Sequence, residues 1–468
     1  MASLLCLLWL ASVRPARRVE FRVNRGTPPH PRPLSRKGRG EEVKSRPRRG
    51  QPQKTVGPLR VGSPVSHNGG MDQSPAENVS PSSAPAAAAE FIFATCQVGA
   101  ERALKGELAR NHPEFRFAYS RPGFVTFKLP AGFEQTHSFE LQSIFARAYG
   151  FSLGRVRGVS NEILAEQVWK LTGGRTFDRL HVWSRDVRAA GDRGYLPGPV
   201  AADAEVAQTI VAQLPAGTHS KLLAPTRPGD LVLDVVIIEN AATQASGQEP
   251  AEAEWYLGYH RASGEFSCLP GGMSPVELPE HAVSRAYLKL QEGLRWSQLP
   301  LKPGERCAEI GAAPGGASQA LLEHGMQVMG IDPAEIDPRV LEHPNFVHIR
   351  KRGSEVRRRE FRKTRWLMAD LNVAPQYTLD AVEAIALHDE VQLRGLLLTL
   401  KLLDWNLADE IPAYLERIRS WGFNWVQARQ LQTSRQEICV AAQLEKPSNT
   451  RRSSHKTLRP GTPGRRWP

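Results

Sequence analysis

The stretch Cys307-Ala-Glu-Ile-Gly-Ala-Ala-Pro-Gly-Gly-Ala-Ser-Gln-Ala320 joins a short apolar run, a glycine-rich turn and the start of a helix. This order predicts a βα unit of an α/β sheet, where nucleotide-like cofactors bind. Gly311, Gly315 and Gly316 permit close approach of the backbone to a ligand. Because the G-x-G-x-x-G spacing that seats a pyrophosphate is missing, the turn favours a nucleoside ligand without phosphates.

A second apolar run, Gln327-Val-Met-Gly-Ile-Asp332, ends in an acid. This acid follows the turn by about 20 residues, the distance typical of an acid that binds ribose hydroxyls. S-adenosylmethionine has that ribose and carries no phosphate, so it is the cofactor that we expect. The alternative is purely structural, because many α/β domains have such a turn and Asp332 then only caps a helix. Further residues are needed to decide between the two.

The net charge of +13 is unevenly distributed over the 468 residues. Residues 1–90 contribute +9 and residues 446–468 contribute +7, so residues 91–445 carry −3. The basic character therefore belongs to the two ends of the chain, and any nucleic acid bound by the central part has to contact a local basic patch. A chain of this length predicts two or three domains.

Cysteine usage and hydropathy indicate the cellular compartment of the protein. The five cysteines are widely scattered, and neither a C-x-x-C pair nor a His cluster predicts a bound metal. We expect a reducing cytoplasm. No apolar run approaches the roughly 20 residues of a membrane span, which predicts no membrane partner. The apolar run at residues 4–12 lacks the preceding basic residue of a secretory signal.

Both ends of the chain have the composition of disordered tails. Residues 1–89 and 446–468 are basic and rich in Pro, Gly or Ser, and such segments bury too little apolar surface to fold. Met71 is an alternative start for the chain. We therefore expect the folded part to begin near residue 90 and to end near residue 445.

The folded part divides into three segments. Residues 90–160 and 161–270 alternate strands and helices without a glycine-rich turn, which predicts two α+β units that position a substrate. Within the first of these, the apolar spacing of residues 138–149 predicts a helix. Residues 279–445 have the βα alternation of a doubly wound sheet, and its last two strands, at 425–431 and 437–443, are close enough to form a hairpin. An antiparallel last strand on a parallel sheet follows.

Ionisable side chains lie at the ends of several predicted elements: Lys289, Asp370, Lys401 and Glu437. Asp370 and Lys401 each close an apolar run, so both fall at the carboxyl edge of the sheet, where α/β active sites assemble. Each residue taken alone is most simply a solvated charge or a salt bridge. Taken together, they form a Lys-Asp-Lys-Glu set in chain order.

With this set the chain resembles the FtsJ-like ribose 2′-O-methyltransferases, and most closely the 23S ribosomal RNA methyltransferases of type M. The segments that carry the resemblance are Leu288–Glu292, Gly311–Gly316, Asp332, Trp366–Asp370, Leu400–Leu402, Gln427–Leu431 and Arg435–Glu437. The resemblance implies a Rossmann-like class I methyltransferase sheet with an antiparallel last strand. It also implies a ferredoxin-like unit at 90–160 and a THUMP-like RNA-binding unit at 161–270.

The resemblance further implies roles for these residues. Lys401 is then the base, Asp370 orients it, and Lys289 and Glu437 fix the ribose and the lysine network. The implied contacts of S-adenosylmethionine are Gly311, Ala313, Pro314, Gly315, Gly316, Asp332 and Asp370, with no metal ion. The implied substrate is large-subunit ribosomal RNA, with a cytidine as the modified nucleotide.

The chain departs from the family pattern around the cofactor. Arg352 stands where we expect an acid that contacts adenine, and an arginine cannot accept hydrogen bonds. Ala286 and Ala313 replace a Ser and a Cys that are usual in the family. These departures leave open an alternative, an RNA-binding protein with a catalytically impaired methyltransferase domain. A nicotinamide dehydrogenase is disfavoured by the missing phosphate fingerprint, and methyltransferases of small molecules or proteins need no Lys-Asp-Lys-Glu set.

Overall fold

The computed structural model describes residues 88–444, apart from residues 137, 194, 196–197, 216–220, 240–251 and 275–276. These described residues form two seven-stranded sheets in a mixed α/β fold. The predicted tails, with Met71, lie outside the described residues except for Ala88 and Ala89. None of the described helices is long and apolar enough to cross a membrane.

The first sheet is built from the strands that precede residue 270. Its strands are β1 (Phe91–Thr95), β2 (Arg116–Arg121), β3 (Phe124–Lys128), β4 (Ala148–Gly158), β5 (Arg179–Ser184), β6 (Leu231–Glu239) and β7 (Ala253–Arg261). Its helices are α1 (Glu101–Asn111), α2 (Asn161–Thr172) and α3 (Ala201–Ala212). The strand order is β2-β3-β1-β4-β7-β6-β5, with only β5 and β6 parallel to each other among these strands.

Strands from both predicted N-terminal units share this sheet, because β4 of the first unit pairs with β7 of the second. The boundary between a ferredoxin-like unit at 90–160 and a THUMP-like unit at 161–270 stays a prediction. Local signals explain where the helices lie. For example, Ser160 caps the start of α2 by accepting a hydrogen bond from the amide of Ile163, and Gly173 ends it in the left-handed conformation.

The prediction of a helix at residues 138–149 is wrong. Residues 148 and 149 begin β4, and the preceding residues form turns. The buried carboxylate of Glu107 accepts hydrogen bonds from the amides of Ile144 and Phe145, at 2.7 and 3.4 Å. A side chain thus takes backbone donors that a helix would have paired internally, while the apolar residues still reach the core.

The second sheet follows residue 280. Its strands are β8 (Arg306–Ile310), β9 (Gln327–Ile331), β10 (Phe346–Ile349), β11 (Trp366–Asp370), β12 (Gly395–Lys401), β13 (Trp425–Arg429) and β14 (Glu437–Gln443). Its helices are α4 (Ala286–Ser297), α5 (Gly316–Glu323), α6 (Pro338–Leu341), α7 (Pro375–Ala386) and α8 (Ile411–Ser420). The strand order is β10-β9-β8-β11-β12-β14-β13.

The strand directions in this sheet confirm the predicted fold class. Strands β8 to β12 are parallel, while β14 is antiparallel to both β12 and β13. The predicted terminal hairpin is therefore confirmed, as is the Rossmann-like sheet with an antiparallel last strand. Because β14 lies between β12 and β13, its first residue is brought beside the last residue of β12.

One apolar core extends from the first sheet into the second. It includes Leu104 and Leu108 of α1 together with Leu398 and Leu400 of β12, all essentially buried. The ring of Phe145 lies 6.2 Å from that of Trp405, which follows β12. Burial of these side chains is the main force that holds the N-terminal sheet against the strand that ends in Lys401.

Candidate active site

The glycine-rich turn leaves β8 with a backbone that only glycine tolerates. Gly311 has φ 84°, and a Cβ at this position would lie 2.5 Å from the carbonyl oxygen of Asp370. A Cβ on Gly316 would collide with the Ser284 hydroxyl. Glycine at these two positions therefore lets the turn pack tightly against Asp370 and Ser284 at the edge of the sheet.

Asp332 shapes this turn from the end of β9. Its Oδ2 accepts a hydrogen bond from the amide of Ala313 at 3.1 Å, and its Oδ1 accepts one from the amide of Ala334 at 2.8 Å. Each carboxylate oxygen keeps a second lone pair for a ligand hydroxyl. The sequence alternatives for Asp332 were a ligand contact and a cap, and its bonds to the turn leave room for both.

The four ionisable residues form a closed ring of alternating charge. Lys289 Nζ lies 2.9 Å from Asp370 Oδ2 and 2.7 Å from Glu437 Oε1. Lys401 Nζ lies 2.8 Å from Asp370 Oδ1 and also forms an ion pair with Glu437 Oε2. Each carboxylate thus bridges both ammonium groups. The ring contains two ammonium groups, each between the same two carboxylates, and therefore has no net charge.

Sheet register explains how residues so distant in sequence meet. Lys401 and Glu437 are directly paired in the β12–β14 ladder, and Asp370 is paired with Thr399 on the other side of β12. Lys289 reaches them from α4. Glu437 is the most buried member, with a side chain that is 4% exposed, whereas those of the other three are 15 to 23% exposed. The ring therefore lies at the carboxyl edge of the sheet, partly open to solvent.

Proton affinities within the ring follow from these contacts. Burial disfavours the charged form of Lys401, yet the carboxylates of Asp370 and Glu437 outweigh it and raise the pKa of this lysine above its usual value. Burial also opposes ionisation of Asp370, but Lys289 and Lys401 outweigh it and lower the pKa of this carboxyl. With the ring closed, Lys401 is an ammonium and Asp370 a carboxylate at neutral pH.

Two cavities adjoin the ring. A small one, about 30 Å³, is lined by Lys289, Asp370 and the buried Glu309. A larger and more open one, about 490 Å³, is lined by Lys289, Lys401 and Glu437. The ring therefore separates a narrow space within the sheet edge from a space wide enough for a nucleotide-sized group.

Glu309 is a site residue that our reading of the sequence missed. It lies in β8 with 3% exposure, and its carboxyl accepts a hydrogen bond from the Ser318 hydroxyl at 2.5 Å. Burial, assisted by the negative charges of Asp370 and Asp332, raises its pKa to about 8. The signal was an acid inside an otherwise apolar strand, two residues before Gly311, because an acid there has to be neutral or paired.

The structure also shows where the residues that depart from the family pattern lie. Ala286 lies in the first turn of α4 and lines both cavities beside Lys289. Arg352 is exposed, and its amide donates a hydrogen bond to Glu355 at 3.1 Å. Next to it, a Cβ on Gly353 would lie 2.9 Å from the side chain of Ile310. The segment that contains Arg352 therefore passes close to the glycine-rich turn.

This connection between β10 and β11 is strongly basic. Residues 350–365 contain nine Lys or Arg and two acids, and eight of the nine basic residues are exposed. Arg357 and Lys363 are exposed and form no ion pair with any described residue. The central part of the chain, although acidic overall, thus has the local basic patch that binding of nucleic acid requires.

Comparisons with known proteins identify relatives of this domain. Residues 282–403 match the model of the FtsJ-like methyltransferase family. The chain is 32% identical over 179 residues to the ribosomal RNA large subunit methyltransferase M of Xylella fastidiosa, over 36% of this chain and 50% of that protein. It is 31% identical over 177 residues to the protein of the same name from Halorhodospira halophila, over 37% and 50% of the two chains.

The chain spans about half the length of these relatives. Among solved structures, the fibrillarin pre-rRNA processing protein of Methanococcus jannaschii is 12% identical and covers 46% of this chain and 88% of that chain, with a TM-score of 0.28. A TM-score this low carries no argument. The likeness of residues 282–403 to FtsJ-like methyltransferases rests on the sequence matches.

Proposed function

We propose that this chain, whose residues 282–403 match the model of the FtsJ-like methyltransferase family, transfers methyl groups from S-adenosylmethionine to ribose 2′-hydroxyls of RNA. The observation that carries the proposal is the closed ring of Lys289, Asp370, Lys401 and Glu437 beside the glycine-rich turn. The ring combines proton-accepting and hydroxyl-orienting groups next to a nucleoside-binding edge. Methyl transfer to a weakly acidic hydroxyl needs both.

The residues at the turn fit the cofactor that the proposal requires. Gly311 and Gly316 let the turn pack against Asp370 and Ser284, and Asp332 at the end of the next strand has lone pairs free for ribose hydroxyls. The residues that would hold it are Gly311, Ala313, Pro314, Gly315, Gly316, Asp332 and Asp370. When bound, the cofactor supplies an electrophilic methyl group on a sulfonium. Arg352 offers no acceptor for adenine, so backbone groups of the 350–353 segment take that role.

Lys401 is the proposed base. Its Nζ would accept the proton of the ribose 2′-hydroxyl, and the bound cofactor would supply the methyl group to that oxygen. Lys401 first has to release its own proton to solvent, and the neighbouring cation Lys289 favours that loss, whereas Asp370 and Glu437 oppose it. Asp370 orients Lys401, and Lys289 with Glu437 holds the ribose at the larger cavity.

The proposed substrate is large-subunit ribosomal RNA, with a cytidine as the modified nucleotide. Two relatives are named as methyltransferases of that subunit, which supports the substrate class. The basic segment 350–365 lies beside the turn and supplies a surface for phosphates. We further propose that a ferredoxin-like unit at 90–160 and a THUMP-like unit at 161–270 position this RNA, and that the reaction takes place in the cytoplasm.

The decisive experiment compares Lys401→Ala with Lys302→Ala in a methyl-transfer assay on large-subunit ribosomal RNA. Lys302 is exposed before β8, at the opposite end of the sheet. General base catalysis contributes about 100- to 10,000-fold, so we expect a loss of kcat in that range for Lys401→Ala alone. If Lys401→Ala kept a wild-type rate with unchanged RNA binding, the assignment of the base would be wrong.

A second measurement addresses the alternative of an impaired domain, to which the alanine at position 286 and the arginine at position 352 give weight. Equilibrium binding of S-adenosylmethionine to the wild-type chain distinguishes the two functions. Saturable binding supports the enzyme, whereas an absence of binding favours a protein that only binds RNA. Mapping of ribose methylation in ribosomal RNA from cells with and without the gene then identifies the nucleotide.

A further inference from the structure

A cluster of metal-binding side chains lies in the first sheet, away from the proposed methyl-transfer site. His181 of β5, Asp234 of β6 and His260 of β7 come from three adjacent strands and are all buried. His181 is directly paired with Asp234 in the sheet register. Val232, two residues before Asp234 and on the same face, is paired with His260. One ligand atom from each residue lies within 4.8 Å of the others.

The Nε2 atom of each histidine has a hydrogen-bond partner outside the cluster. His181 Nε2 lies 2.8 Å from the Thr226 hydroxyl, and His260 Nε2 lies 2.8 Å from the carbonyl oxygen of Ser267. The carbonyl can only accept, so His260 carries its proton on Nε2. An oxygen partner at one ring nitrogen is the usual arrangement for a histidine that binds a metal through the other. It leaves both Nδ1 atoms as the candidate donors.

Two of the candidate donor atoms lack the hydrogen-bond partner that a buried polar group needs. Among the described residues, no hydrogen-bond partner is found for His181 Nδ1 or for Asp234 Oδ1, and both atoms are inaccessible to solvent. His181 is 3% exposed and Asp234 fully buried. Unpaired buried polar atoms cost free energy. With the His181 proton on Nε2 and donated to Thr226, both unpaired atoms are acceptors, and a group that accepts electron pairs from both would stabilise this arrangement.

The third donor faces the same carboxylate. His260 Nδ1 lies 2.7 Å from Asp234 Oδ2. With the Nε2 proton donated to Ser267, this Nδ1 can meet Asp234 favourably in three ways: it carries a second proton, it accepts a proton from the neutral carboxyl, or it shares a cation with the carboxylate. The first is a buried ion pair, the second a neutral hydrogen bond and the third a metal site, and of these the metal site also gives His181 Nδ1 and Asp234 Oδ1 a partner.

We propose that His181 Nδ1, His260 Nδ1 and Asp234 bind one divalent transition-metal ion of the zinc type. Two imidazole nitrogens and a carboxylate are donors that suit Zn²⁺, with bonds of about 2.0–2.2 Å and a water molecule at the fourth tetrahedral position. The ion takes the place of the proton between His260 and Asp234. Spacing in the sequence gave no sign of this site, because the donors are on three separate strands.

The position of the site indicates a structural role. Through Ser267, His260 fixes the segment that leaves β7 toward the methyltransferase domain, and through Thr226, His181 fixes the segment that enters β6. An ion bound by both histidines joins these two segments to the sheet. Neither the proposed methyl transfer nor its residues is needed for this inference.

The test uses the full-length chain purified without a histidine tag, stripped with a chelator and returned to Zn²⁺. We expect about one equivalent of zinc to remain after gel filtration, and Co²⁺ in its place to give the strong visible absorption of a tetrahedral site. We also expect zinc to raise the thermal midpoint of the wild-type chain, since an ion that binds only the folded state stabilises it. No retained zinc together with an unchanged midpoint would overturn the proposal.

Variants locate the ion. His181→Gln should lose the bound equivalent, whereas His112→Gln should keep it. His112 is a fair control because its Nε2 is also buried and lacks a partner among the described residues, but it belongs to no such cluster. Equal zinc retention by both variants would place the ion elsewhere and refute the site. If His181→Gln does not fold, the thermal midpoint of the wild-type chain with and without zinc still tests whether the folded chain binds the ion.

Discussion

Glu292 accepts three hydrogen bonds from the turn that precedes β14, two of them from Thr433. The amide and the hydroxyl of Thr433 donate at 2.9 and 2.6 Å, and the amide of Gln432 donates at 2.7 Å. Glu292 lies on α4 one turn beyond Lys289, and the segment it holds leads directly to Glu437. One carboxylate therefore fixes the distance between two members of the charged ring.

The first prediction is that Glu292→Gln lowers kcat while the chain stays folded. The amide NH₂ of a glutamine cannot accept from backbone donors, so at least one of them loses its partner, at a cost of about 1–3 kcal/mol. The turn then shifts, and a misplacement of about 1 Å in an active site can lower a rate about 100-fold. We expect kcat for RNA methylation to fall about 10- to 100-fold, with little change in the KM for S-adenosylmethionine.

The matched control is Glu280→Gln, an exposed acid before α4. It should leave both kcat and the unfolding midpoint unchanged. Steady-state kinetics well below the midpoint of the variant separate a positioning effect from partial unfolding. An equal loss in kcat for both variants, or a loss for Glu292→Gln confined to KM, would show that Glu292 does not act through Glu437.

The parts of the site that the sequence predicted are those encoded locally. Gly311 and Asp332 follow apolar runs, and a strand end followed by a turn places them at the edge of the sheet without knowledge of other contacts. The hairpin of β13 and β14 was predicted as well, but not that β14 lies beside β12, so the meeting of Lys401 and Glu437 was implied only by the resemblance. Their ion pairing with Lys289 came from the resemblance and not from periodicity.

The parts that failed depend on distant contacts. Residues 138–149 have helical spacing, but the carboxylate of Glu107 accepts hydrogen bonds from their amides, and the first of these bonds spans 37 residues of sequence. A pattern of apolar positions cannot predict such a bond. Glu309 was missed although an acid in an apolar strand was a signal in the sequence, and only the folded turn shows that its partner is Ser318 on the next element. Tertiary contacts decided both cases.

The second prediction concerns the backbone of the glycine-rich turn and uses two glycines of matched conformation. Gly311 and Gly304 have φ 84° and 83°, but a Cβ on Gly304 meets no described atom within 4 Å, whereas one on Gly311 would overlap the backbone of Asp370. Gly304→Ala should cost only the strain of the left-handed conformation, about 1 kcal/mol. Gly311→Ala should cost an additional 1–3 kcal/mol, roughly, because a rigid backbone has to move.

Urea unfolding of the two variants measures this difference, and titration with S-adenosylmethionine measures its effect on binding. We expect Gly304→Ala to bind like the wild type and Gly311→Ala to bind much more weakly, since Asp370 and the turn move apart. Equal stability of the two variants would show that the turn is not pressed against Asp370.

The third prediction concerns the pH dependence of stability through Glu309. Its pKa in the folded chain is raised to about 8 from an ordinary 4.5, so the stability that this group contributes is fully present below pH 4.5 and is lost as pH rises through 8. Glu309→Gln keeps an acceptor for Ser318 and cannot ionise. The free energy of unfolding of this variant relative to the wild type should therefore increase between pH 5.5 and 8, by on the order of 3 kcal/mol.

Urea unfolding of both proteins at the two pH values provides the measurement, and the exposed Glu342→Gln is the control. Other titrating groups are shared by wild type and variant, so they cancel in the difference. A stability difference that is the same at pH 5.5 and pH 8 would mean that Glu309 is ionised throughout this range, and that the buried carboxyl has a partner other than Ser318.

The fourth prediction is that the basic segment 350–365 binds RNA through phosphates. Arg357 and Lys363 are the best pair to change, because both are exposed and neither is held by an ion pair with a described residue. Each phosphate contact contributes about 0.7 to the slope of log affinity against log salt for single-stranded RNA. The double variant Arg357→Gln, Lys363→Gln should therefore lower the slope by about 1.4 and weaken binding most at low salt.

Lys302→Gln removes an exposed charge at the opposite end of β8 and should leave the slope unchanged, since that end of the sheet is remote from the turn. Equal slopes for the double variant and the wild type would place the RNA on another surface, because a charge that contacts no phosphate releases no counterion when the complex forms.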